Sequence, residues 1–221
     1  MNRRSLLLTG GMAVTALAGV WLVRGGQDVS GLPTLGAANA QTAAVDTSGV
    51  VEMELGAPDA PVTMMEYASF TCPHCATFHA TVLPQLKADY IDTGKVRFIY
   101  RDVYFDRFGL WAAMVARCEP TRFFGVVEML YAQQRDWFGA GDPATVAENL
   151  KKIGRVAGLD TAQLDACFTD QAKAEALVAW FQKNAEADKI ESTPSLVIDG
   201  ELHSNMSYAD LKAILDKKLA P

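Results

Sequence analysis

The chain has 221 residues, 50% of them hydrophobic, so it can bury a full core and needs neither disulfides nor a metal to compensate for small size. Its formal charge is -6; three arginines against Asp28 in the first 40 residues leave residues 41–221 with 17 basic and 25 acidic groups, a net of -8. So acidic a body argues against nucleic acid as a partner, because a basic face supplies most of that affinity, and it leaves the four cysteines asking for a chemical explanation.

The amino terminus, MNRRSLLLTGGMAVTALAGVWLVRGG, places Arg3 and Arg4 ahead of an apolar, glycine-interrupted run from Leu6 to Val23, then Arg24. This is the pattern of an export signal. The paired arginines resemble a twin-arginine signal, although Asn2 and Ser5 flank them where the full motif has a Ser or Thr before and a Phe two residues after. Small-x-small cleavage patterns occur at Ala16-Leu17-Ala18 and Ala38-Asn39-Ala40, and the apolar run is nearly long enough to span a bilayer uncut. Cleavage and retention as a membrane anchor are both open, and residues 1–40 are assigned to this signal or anchor. Either way the body is delivered across a membrane into an oxidising space such as the periplasm, where disulfides persist.

The Ala-, Gly-, Thr- and Gln-rich stretch from Leu32 to Ser48 has no periodicity and reads as a linker, assigned to 41–49, with the folded body starting near Val50. VTMMEYASF (62–70) predicts a strand buried on both faces that runs straight into Cys72 and Cys75. ATFHATVLPQLKADYI then sets Phe78, Val82, Leu86 and Tyr90 at intervals of four, a helix stripe in which Pro84 predicts a kink. KVRFIYRDV (95–103) predicts the next strand, giving strand, helix, strand with the cysteines at the first turn.

Residues 108–190 show helical periodicity broken at Glu119-Pro120, Gly139 to Pro143 and Gly158-Leu159-Asp160, and read as an inserted helical domain of four or five helices. Asp142-Pro143 and Asp160-Thr161 look like helix starts. PSLVIDGEL (194–202) returns to sheet character with a hairpin signal at Asp199-Gly200, and SYADLKAILDKKL (207–219) predicts a closing amphipathic helix. The sheet-bearing domain is thus expected over 50–107 and 191–219.

A Cys-x-x-Cys pair at a helix start puts the first sulfur where backbone N–H groups lack partners and the helix dipole is positive, which favours thiolate. A lowered pKa makes Cys72 a good leaving group and the disulfide more oxidising; Cys75, one turn inside, should be buried and less reactive. His74 adds a positive charge or a donor at the same point, and Pro73 fixes the turn. A zinc site lacks its other two ligands: the remaining cysteines lie 43 and 92 residues beyond Cys75, and no His-x-x-x-His pair is present. A purely structural disulfide closing so short a loop would stabilise little. No metal and no cofactor is expected. His79 and His203 read as ordinary surface or satisfied residues.

EYASFTCPHC resembles the active site of the DsbA family of thiol:disulfide oxidoreductases, within the thioredoxin superfamily, and the likeness in element order extends over roughly residues 50 to 219. The resemblance implies an α/β thioredoxin fold with an inserted helical domain. It implies that Thr193-Pro194 is a cis-proline loop facing the Cys pair, whose backbone pairs with an extended substrate, and that Glu66 is a buried acid able to relay protons to Cys75. Thr193 departs from the pattern of the strongest oxidases, where a branched apolar residue is common, so isomerase or reductase activity stays open. Against it, about ten residues between Ala40 and the first strand are too few for the amino-terminal dimerisation domain of DsbC-like isomerases, and a monomer is expected. Cys118 and Cys167 fall on helical segments and, in an oxidising compartment, are expected to form a structural disulfide; some alphaproteobacterial DsbA-like proteins have such an extra pair. By resemblance the partners are unfolded exported proteins and a membrane quinone-linked reoxidant of DsbB type. A peptide-binding factor in which the Cys pair is incidental is the competing class.

Overall fold

The computed structural model describes residues 45–139 and 141–220; the expected export signal or anchor, with the first four linker residues, lies outside them. Among the described residues no helix is long and apolar enough to cross a membrane. Five strands form one mixed sheet: β1 (Met53–Leu55), β2 (Val62–Ala68), β3 (Val96–Asp102), β4 (Ser195–Ile198) and β5 (Glu201–Ser204), in the order β1-β3-β2-β4-β5. β2 lies at the centre, parallel to β3 and antiparallel to β4, with Glu66 opposite both Tyr100 and Leu196. That central place explains why its sequence is almost continuously apolar rather than alternating. β1, only three residues long, carries too little pattern to be recognised in sequence. The β4–β5 turn uses Asp199 (φ 49°) and Gly200 (φ 83°), both left-handed, as a two-residue hairpin requires. Asp199 Oδ1 also accepts from Thr63 N at 2.9 Å, tying that turn to the start of β2.

Helix α1 (Pro73–Thr81) gives way at Val82 to α2 (Leu83–Leu86), and Lys87–Ile91 closes as a single π turn. Pro84 has no N–H to offer the preceding turn, so the expected kink is a break in the ladder. The apolar stripe survives it, since Phe78, Val82, Leu86 and Tyr90 are all buried.

Between β3 and β4 lie α3 (Arg107–Ala116), a 3-10 turn (Pro120–Arg122), α4 (Phe123–Ala132), α5 (Gln134–Phe138), α6 (Pro143–Val156), α7 (Thr161–Thr169) and α8 (Gln171–Ala187). Among the described residues these α-helices number six, where four or five were expected. The additional joints fall at Gln133 and at Asp170, whose side chain accepts from Lys173 N and restarts the chain as α8. Asp142 caps α6 by accepting from Thr145 N, and Asp160 forms a capping box with Gln163. α9 (Tyr208–Lys218), capped by Ser207, closes the fold.

One continuous buried cluster joins the sheet to these helices, running from Met64, Phe98 and Leu196 through Phe123 to Leu150 and Phe168. Beside it Arg117, at the end of α3, donates from Nε to Asp102 Oδ2 at 2.6 Å, both side chains being almost fully buried, and from Nη1 to Val51 O at 2.8 Å. Its guanidinium lies over the rings of Phe123 and Trp180. The next residue, Cys118, is disulfide-bonded to Cys167 in α7 across a sequence separation of 49. Replacing Cys118 and Cys167 together by Ala should lower stability by about 4 kcal/mol, the chain-entropy value for a loop of this length. Urea unfolding measures it, and a loss below about 1 kcal/mol would contradict that role.

Candidate active site

The carboxyl end of β2 and the amino end of α1 are separated by four residues, Ser69, Phe70, Thr71 and Cys72. Cys72 N donates to Ser69 O at 3.1 Å, which turns the chain, and Cys72 stands as the extended N-cap of α1 (φ -85°, ψ 119°). Pro73 then occupies the first helical position, where its missing N–H costs nothing and its fixed φ suits the helix. No side-chain oxygen caps α1. The sulfur of Cys72 occupies that place, facing the backbone N–H groups of His74 and Cys75. His74 and Pro73 are exposed on the rim.

Both sulfurs are free thiols, so the geometry is that of the reduced form. Cys72 retains 8% exposure and Cys75 none. The Cys72 thiol is held down to about 5: a hydrogen bond from the Cys75 S–H favours its thiolate, partial burial opposes, and Thr193 with the backbone N–H groups of Cys75 and His74 adds to the lowering. Burial pushes the Cys75 thiol far in the other direction, helped by its bond to Cys72 and by the negative charge of Glu66. One sulfur of the pair is a thiolate at neutral pH and the other is not.

The Thr193–Pro194 bond is cis and sits directly before β4. It brings the Thr193 carbonyl to 3.5 Å from Cys72 Sγ, where it accepts the S–H. The Thr193 hydroxyl is buried and has no other partner, so once Cys72 ionises it is placed to donate to the sulfur.

Glu66 is fully buried on β2, with Oε2 3.0 Å from His79 Nε2 and Oε1 buried without a partner. Of the two readings that the sequence leaves for His79, surface or satisfied, the structure gives the second. This histidine lies on α1 four residues after Cys75, its side chain only 5% exposed and its ring 4.2 Å from that of Tyr131. The i, i+4 spacing is the signal that places His79 on the same helix face as Cys75. His203, in β5, lies 3.8 Å from Glu201, away from the cysteines in the hairpin.

Two contacts attach the inserted helices to the active-site turn, and neither is readable from sequence. The Gln134 amide, at the start of α5, donates to Phe70 O at 2.8 Å and to Cys72 O at 2.9 Å. Thr71 Oγ1 donates to Asp106 Oδ2 at 2.7 Å, while Asp106 Oδ1 caps α3 by accepting from Phe108 N and Gly109 N. A cleft of about 500 Å³ lies between α1 and the α4–α5 joint, lined by Pro73, Thr77, Tyr131 and Gln134 among others. Among the described residues no cluster of three or more His, Cys, Asp or Glu side chains could hold a metal.

A helix N-terminus that stabilises one thiolate, a buried second thiol and a cis-proline loop against them define a class, the thioredoxin-fold proteins built for thiol–disulfide exchange. The chain belongs to the thioredoxin family, whose model matches residues 48–217. A Rickettsia bellii protein, named provisionally as a protein-disulfide oxidoreductase, is 32% identical over 170 residues, covering 76% of this chain and 64% of its own. The chain therefore spans less than two thirds of that relative's length. Disulfide bond formation protein D of Bacillus subtilis is 26% identical over 178 residues, covering 75% of this chain and 76% of its own. Among solved structures, Wolbachia pipientis alpha-DsbA1 superposes with a TM-score of 0.68 at 27% identity, covering 75% of this chain and 89% of its own.

The thiolate absorbance of the reduced protein should titrate near pH 5, leaving a single thiolate at pH 7. The folded pKa lies below the unfolded value of 9.0, so the stabilisation this ionisation brings to the reduced form is complete above about 9 and is lost as pH falls through about 5. Unfolding of the reduced form between pH 4 and 9 measures it, and stability independent of pH over that range would contradict the assignment. Gln134→Leu should cost about 2 kcal/mol by leaving the Phe70 carbonyl unpaired, and should raise the Cys72 titration midpoint. An unchanged midpoint would show that the amide does not hold the turn.

Proposed function

We propose that this chain is an exported thiol:disulfide oxidoreductase that introduces disulfide bonds into newly translocated proteins through Cys72 and Cys75. The observation that carries the reading is the asymmetry of the pair, Cys72 held down to about 5 while Cys75 is pushed up. Stabilising the reduced form in this way makes the disulfide a stronger oxidant, and it makes Cys72 the better leaving group. A client thiolate attacks Cys72 of the disulfide, and the client's second thiolate then resolves the mixed disulfide.

Pro73 fixes the turn at which the backbone N–H groups of His74 and Cys75 face the thiolate, His74 adds its side chain at the same point, and Glu66 acts as the proton relay to Cys75. The Thr193–Pro194 loop receives the client as an extended segment; its backbone passes within 3.5 Å of Cys72 Sγ, so a peptide laid along it meets the attacked sulfur. Phe105, 58% exposed beside the Thr71–Asp106 contact, adds apolar surface to the same rim. Cys118 and Cys167 serve as a structural disulfide, outside the exchange reaction. The apolar, arginine-flanked amino terminus supports delivery to the periplasm, cleaved or as an anchor, and a membrane quinone-linked partner of DsbB type would reoxidise the pair. We read the protein as a monomer with the sheet-bearing part (50–107 and 191–219) and the inserted helices (108–190) as its two domains.

A second reading, a reductase or isomerase on the same fold, rests on the Thr193 hydroxyl, buried beside Cys72 without another partner. The resting redox state of the pair in its native compartment separates the two, oxidised for the first and reduced for the second.

Equilibrating the purified protein with glutathione mixtures tests the reading. We expect a strongly oxidising potential, loss of client oxidation in Cys72→Ala, and a trapped mixed disulfide with a client in Cys75→Ala. A thioredoxin-like potential, about -270 mV, would refute it.

A further inference from the structure

Oxidation of a client dithiol has a fixed proton balance. When a client thiolate attacks Cys72, the Cys72–Cys75 bond breaks and its electron pair leaves on Cys75 Sγ. That sulfur is fully buried, and burial pushes its thiol up, so it must finish the step as S–H with one proton taken up. The client's second thiolate then displaces Cys72, which departs as thiolate and takes none. Of the two protons the client loses, one ends on Cys75 and the other in solvent.

The titratable groups around the buried sulfur are Glu66 on β2, Tyr100 on β3, Tyr131 on α4, Cys72 at the N-cap of α1 and His79 on α1. The two phenols, hydrogen-bonded to each other at 2.8 Å, are held neutral chiefly by burial and are poor acids. Glu66 and His79 remain. Neutralising a buried carboxylate explains the 3.0 Å bond between them, but it does not explain why Glu66 Oε1 is left buried without a partner. Nor does it explain why the base stands on the same helix face as Cys75, one turn away. Glu66 has no exposed surface, whereas 5% of the His79 side chain is exposed.

We propose that His79 is the positioning residue through which the proton taken up at Cys75 enters the site. His79 accepts a proton from solvent and passes it from Nε2 to Glu66 Oε2. The carboxyl then delivers a proton from Oε1 to Cys75 Sγ as the disulfide bond breaks, and His79 is reprotonated for the next turnover. This deepens the oxidase reading and rests on it.

The test is stopped-flow reduction of the oxidised full chain by a dithiol peptide between pH 5 and 8, each rate divided by the peptide's thiolate fraction. In the unmodified chain the corrected rate should fall as pH rises, because the step takes up a proton, and deuterated solvent should slow the step about twofold. His79→Gln can keep the bond to Glu66 but cannot titrate. It should be about tenfold slower at pH 6, with a flat profile and the glutathione equilibrium constant within about twofold of the unmodified value. A His79→Gln chain with unchanged rate and profile would overturn the inference and leave the oxidase reading standing. If that variant fails to fold, the solvent isotope effect on the unmodified chain decides, and its absence overturns the inference. An unmodified chain that oxidises no dithiol would overturn both.

Discussion

The constraint on which the site depends is that two identical thiols three residues apart must differ in acidity. Two sulfurs in one environment would compete for a single proton with no preferred attacker. The fold resolves this by cutting the environment at the first turn of α1: Cys72 is the N-cap, in front of unpaired backbone N–H groups, and Cys75 is inside the helix against the sheet core. The difference is one of position and needs no nearby lysine or arginine. It holds only while the turn from Ser69 to Pro73 stays in place.

The inserted helices are fastened to that turn. Gln134 grips two of its carbonyls and Asp106 accepts from Thr71, so α5 and the start of α3 both hold it. Deeper in, Asp102 pairs with Arg117 where β3 meets the end of α3, and the adjacent Cys118 is tied to α7. Removing one partner of so buried a pair strands a charge, which makes this joint costly to open. The helices are therefore part of the redox site's support, sharing its core.

What is legible in sequence is what is encoded locally. The Cys-Pro-His-Cys turn, the stripe of Phe78, Val82, Leu86 and Tyr90, the Asp142 and Asp160 caps and the Asp199-Gly200 hairpin each occupy a few consecutive residues and follow from short-range rules. Thr193-Pro194 can be found as a dipeptide, but its place against Cys72 comes only through the family resemblance. Gln134 is not legible, because its partners lie 64 and 62 residues earlier and nothing in its neighbourhood marks it. His79 is legible only in part, as a residue that is either on the surface or satisfied. Its spacing from Cys75 is visible, but the burial that turns a helix-surface histidine into the partner of Glu66 is made by Tyr100 and Tyr131, from β3 and α4.

The arrangement also separates two traffics that meet at one bond. In the proposed reaction thiol exchange takes place on the rim, where Cys72 faces the Thr193 carbonyl and Pro73 and His74 are exposed. In that reading Cys75, which has no exposed surface, takes its proton from the groups packed around it. Glu66 on β2 and His79 on α1 are the groups proposed to carry it. A second sulfur without exposed surface needs a proton path that does not pass through the attacked one, and the buried Glu66 with its histidine partner is the path proposed.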